Sequence, residues 1–108
     1  MTDMQKASAY HREAMEAIDQ ALESKRRGDL DAEKRFKAHA LEKEILAAFL
    51  CDQEPSRSIL IRSAASIAFI LGSRDQAAEL AKQGITNFTP LEIKKELEEI
   101  IEKCSVVS

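Results

Sequence analysis

Arg62 stands inside a run of thirteen residues, Ile59 to Leu71, that is otherwise apolar or small. Ser58 and Ser66 lie four residues to either side of it. Helical residues four apart stack one above another, so the three form a single narrow polar stripe. A guanidinium in apolar surroundings is costly unless a carboxylate, a carbonyl or open water meets it. Its planar fork suits bidentate capture of a carboxylate. Two sources offer one. The first is an acid of the first helix, Glu13, Glu16 or Asp19, which would make Arg62 a structural residue. The second is a partner peptide, which would make Arg57, Ser58, Arg62 and Ser66 a partner-binding set.

Little else in the chain has the spacing that chemistry requires. His11 and His39 are the only imidazoles, and neither follows a Glu by three residues, the spacing a di-iron carboxylate bundle uses. Cys51 and Cys104 are far apart and read as small core hydrophobes rather than ligands or a disulfide. There is no glycine-rich phosphate loop, no Gly-x-Ser-x-Gly and no cysteine pair at metal spacing. The expectation is a non-enzymatic protein with no catalytic residue, no cofactor and no metal. Lys25, Arg26, Arg27, Lys34, Arg35 and Lys37 cluster around one turn. Interspersed Asp29, Asp31 and Glu33 dilute them, so they read as a solvated helix end.

These residues must be held by helices. The 108 residues suffice for one domain, and the apolar share of 44% is carried by Ala, Leu and Ile with only 5% aromatic. Sixteen basic against nineteen acidic residues give a net charge of −3, with no general attraction to nucleic acid or to an anionic membrane. The N-terminal residues lack the apolar core of a targeting signal, and the run after Ser58 is shorter than the roughly 20 apolar residues of a spanning helix. A cytoplasmic protein is expected. Thr2 with Gln5, Ser73 with Gln76 and Thr89 with Glu92 have capping-box spacing. Pro90 suits a first helical position, and Phe88 would staple to Ile93. With Gly28 and Gly72 as stops, five helices follow, over about 3–27, 30–52, 56–71, 74–87 and 90–104, with a frayed tail. Helix 2 turns apolar nearly all round at Ile45 to Cys51, so its C-terminal half should be well buried, and helix 3 should be central.

Aligning the two glycines exposes a repeat. In both copies an Asp lies three residues on (Asp31, Asp75), a large apolar residue eight on (Phe36, Leu80), a small residue twelve on (Ala40, Gly84) and an aliphatic thirteen on (Leu41, Ile85). This resembles the turn and second helix of the tetratricopeptide repeat (TPR). The glycines are 44 residues apart against a family period of about 34, so the first two helices are longer than the family's. Glu33 replaces an alanine of the motif, and the first helix of each pair lacks the family's large aromatic and Leu-Gly. The long first hairpin is also similar, more weakly, to the three-helix microtubule-interacting-and-trafficking domain. The wording from Glu54 to Ala65 resembles small TPR-like bacterial proteins of a cyanobacterial kind.

The resemblance implies an all-α array of five antiparallel helices, about two hairpin repeats plus a C-terminal capping helix, in a single domain. It implies that helices 1 and 3 line a concave face where a protein or peptide partner binds. Self-association as a homodimer without a peptide ligand is the alternative, because two repeats are fewer than the three or so such arrays need.

Overall fold

A computed structural model describes residues 1–105 as five α-helices with short connections. They are α1 (Asp3–Arg26), α2 (Leu30–Leu50), α3 (Ser56–Ile70), α4 (Arg74–Gly84) and α5 (Leu91–Ser105). No strand occurs among the described residues. Ser105 belongs to α5; the rest of the expected frayed tail, 106–108, lies outside the described residues. No described helix is long and apolar enough to cross a membrane.

The first helix begins as its residues dictate. Thr2 Oγ1 accepts from the Gln5 N–H and Gln5 Oε1 accepts from the Thr2 N–H, at 3.1 and 2.8 Å, closing the capping box. Both hairpin turns then close alike. Gly28 and Gly72 take φ of 77° and 85°, the left-handed conformation that a side chain would oppose. The next residue, Asp29 or Ser73, donates its N–H back to Ser24 or Ala68, at 2.9 Å in each case. That is the glycine-ended Schellman stop, repeated 44 residues on. Asp29 then caps α2 through the Ala32 N–H, whereas Ser73 makes no side-chain cap, and the box expected with Gln76 does not form.

The end of α4 also departs from the reading. Helix α4 stops at Gly84, three residues short of 87. Thr89 explains it: its hydroxyl donates to the Gly84 carbonyl at 2.6 Å and accepts from the Thr86 N–H at 2.9 Å, sealing the helix from outside. This hydroxyl, expected to cap α5, turns back to α4. Helix α3 starts at Ser56 as expected, and Glu54 before it accepts from the Ser58 N–H through Oε1 at 2.9 Å, placing an anion at the helix N-terminus.

Sequential helices run antiparallel and form a slab of 44 × 43 × 19 Å. Helix α1 packs along α2, α2 along α3, α3 along α4, and α5 covers α4 and the near side of α3. The core is assembled from small residues. Ala14, Ala40, Ala64, Ala65, Ala68, Ala77 and Ala81 have no exposed surface, and Leu97 of α5 is the largest fully buried side chain. Gly84 allows a close approach of α4 to α3 and α5. A Cβ there would fall 2.8 Å from Ile61 Cγ2 and 2.9 Å from Leu97 Cδ1.

Cys51 is buried and Cys104 half-buried, both as free thiols. The end of α2 is less covered than its composition suggests. Ala47 and Ala48 are buried, but Leu46 is exposed and Phe49 is 69% exposed, because α1 and α3 cover only one side of the helix.

Candidate functional site

The polar stripe of α3 faces the C-terminal side of the slab. Arg62 Nη1 donates to Glu96 Oε2 on α5 at 3.0 Å, not to an acid of α1. Glu13, one of the acids named for it, lies 3.6 Å from Lys43 of α2, whose ammonium also stands 5.4 Å from the Tyr10 ring centre. Ser58 has no exposed surface. Its hydroxyl donates to the Glu54 carboxylate and lies 3.5 Å from Thr89 Oγ1, so it belongs to the structure of the helix start. Arg57 Nη2 donates to the Gln83 carbonyl at 3.0 Å, at the end of α4. Ser66 is half-buried. Arg57, Ser58 and Arg62 thus have partners within the chain, on α4, α5 and the connections beside them. The arginine stripe does not lie between α1 and α3.

A different set of residues gathers on that side. Glu44 of α2 is fully buried, yet it lies on the packed face of its helix, between Ala40 and Ala47. Burial of a carboxylate demands hydrogen-bond donors, and two neighbouring helices supply them. His11 Nδ1 of α1 stands 2.8 and 3.1 Å from the two carboxylate oxygens, and Ser63 Oγ of α3 donates to Oε2 at 2.6 Å. Three helices are clasped by one side chain. The order of the groups matters for chemistry. In a nucleophilic triad the imidazole stands between hydroxyl and carboxylate and relays the proton. Here the carboxylate stands between, which orients His11 and Ser63 but lines up no nucleophile with a base.

Beside the clasp, α1 and α3 part. Among the described residues the two helices make no extended contact. The space between them is a cleft of about 230 Å³, lined by Met4, Ala7, Ser8 and His11 of α1 and by Ser56, Ile59 and Leu60 of α3, with Cys51 of the intervening connection. Ile59 is 39% exposed and the His11 side chain 44%. The cleft is mostly apolar with an imidazole on one wall, and its polar residues are hydroxyls rather than charges.

The basic cluster is largely in solvent. Lys37 pairs with Glu33 at 2.7 Å and Arg26 with Glu23 at 3.6 Å, while Lys34 and Arg35 are exposed. Comparison of the chain with protein-family models, with curated proteins and with solved structures finds no match.

Proposed function

We propose that this chain is a non-enzymatic, TPR-like interaction module that takes an apolar side chain of a partner protein segment into the cleft between α1 and α3. The observation that carries the reading is the parting of these two helices over an apolar cleft, with a half-exposed isoleucine and a clamped imidazole on its walls. Its volume of about 230 Å³ lies below the roughly 300–1,000 Å³ of small-molecule pockets, which suits one anchoring side chain better than a free metabolite. The repeated Schellman turns and the alternating hairpins support the array reading, in which first helices of successive hairpins border a common groove. The binding residues named here are Met4, His11, Ile59 and Leu60, in place of the arginines.

The test is selection of binders from a displayed random-peptide library, followed by affinity measurement on variants. Selected peptides should share a large aliphatic or aromatic anchor. Ile59→Lys should weaken them at least about 30-fold, the effect of losing a hot-spot contact, with helicity and melting unchanged. Arg57→Glu should leave them bound. Peptides that depend on Arg57 and ignore Ile59 would overturn the assignment of the groove.

A further inference from the structure

The same end of the helices carries, on the α4 side of the α2–α3 connection, a feature that the α1/α3 groove does not use. Phe88, at the tip of the connection between α4 and α5, is 81% exposed, and the staple to buried Ile93 does not cover it. The connection is held in that conformation. The Phe88 N–H donates to Thr86 Oγ1 at 3.1 Å, and Thr86 in turn is bonded to Thr89, which is bonded to Gly84. Hydrogen bonds therefore fix the backbone that carries an aromatic side chain exposed to water, an arrangement that costs free energy unless something covers the ring.

A hollow lies beside it. A cleft of about 300 Å³ between the ends of α2, α3 and α4 has Ala48, Phe49, Cys51, Ile61 and Leu80 as its apolar lining. Asp52 and Arg57 line this cleft and also the adjoining one of about 500 Å³ that reaches Thr86 and Phe88. One end of the molecule thus presents an aromatic knob, an apolar hollow with a second exposed phenylalanine, and between them Arg57 with two acids, Asp52 and Glu54. A two-fold interface requires this kind of self-complementarity, since each surface must supply both halves of every contact. Size is also adequate. The whole end of the slab spans about 43 by 19 Å, most of which a stable interface of roughly 800 Å² per partner takes up.

We infer that a second copy of this chain docks here about a two-fold axis, each Phe88 entering the other copy's hollow beside Phe49 and each Arg57 facing the other copy's Asp52. Cys51 lines both the hollow and the α1/α3 cleft, so the paired surface borders the proposed groove, and the pairing does not depend on what fills that groove.

Sedimentation equilibrium from micromolar to submillimolar concentration tests this. The wild type should reach twice the chain mass of 12.1 kDa. Phe88→Asp and Phe49→Asp, both at exposed positions, should each raise the dissociation constant at least about 30-fold while keeping wild-type helicity and melting. An equimolar mixture of the two variants should recover mixed dimers, because one intact knob meets one intact hollow. A wild type that stays at 12.1 kDa throughout overturns the proposal and leaves the hollow to a different protein or a small ligand. A Phe88→Asp protein that dimerises like the wild type, or a mixture that stays monomeric, overturns the two-fold knob-in-hollow geometry.

Discussion

The buried residues of α1 are four alanines and a serine, whereas α3 buries Leu60, Ile61 and Ile67 alongside its alanines, and α4 buries Leu80. The first hairpin spans helices of 24 and 21 residues, the second helices of 15 and 11. The two facts belong together. An alanine removes little apolar surface from water, at about 25 cal/mol per Å², so an alanine interface gains stability by length. The second hairpin buries larger side chains over fewer turns, and it draws on α5 for Leu97. The first hairpin also buries a carboxylate, which the second does not among the described residues.

Three substitutions probe this contrast. The largest effect should come from Leu97→Ala, which empties a fully buried position against Gly84 and Ile61. A cost of about 3 kcal/mol is expected, read as a fall in the thermal midpoint of more than about 10 °C. A cost below about 1 kcal/mol would remove α5 from the core of the second hairpin. Glu44→Ala should come next, at about 2 kcal/mol, because it strips the acceptor from His11 and Ser63 and leaves a void between three helices. Both groups left behind are partly open to water, which limits the penalty. Denaturant titration measures it, and an unchanged midpoint would show that the clasp adds nothing to the alanine packing. Arg62→Ala should cost the least, under about 1 kcal/mol, since its pair with Glu96 is 32% and 50% exposed. A larger loss would make the pair a joint between α3 and α5 rather than a surface contact.

The helices were legible because punctuation is local. Gly28, Gly72 and the Thr2–Gln5 box act within a few residues of themselves, and each places a helix end to within a residue or two. The end of α4 was harder to read, since the hydroxyl that closes it belongs to Thr89, which also has the spacing to cap the next helix. Only packing decides which way that hydroxyl turns. The composition of α3 pointed to a covered helix with one polar window, and the polar groups do lie in a stripe. Which neighbour the stripe faces depends on the rotation of α3, which a single helix does not encode.

The clasp at Glu44 joins residues 33 and 19 positions away, so no window of sequence contains it. A sign of it was nonetheless present. Glu44 follows Ala40 by four and precedes Ala47 by three, on the face of α2 that carries its small residues, where a carboxylate has no place without donors. The exposure of Phe49 and Phe88 was hidden for the opposite reason, because an apolar residue near a helix end reads as core whatever actually covers it.

Glu44 has a consequence for how the helices are aligned along their lengths. A surface of alanines is nearly featureless, and two such helices can slide past one another by a turn and still meet small side chain against small side chain. A carboxylate with one donor on each flanking helix allows no such slip. Moving α1 or α3 by a turn of 5.4 Å would take His11 or Ser63 out of reach and leave the buried carboxylate short of a donor. The clasp thus acts as an index pin: the alanines let the helices come close, and one side chain sets the register of both neighbours at once.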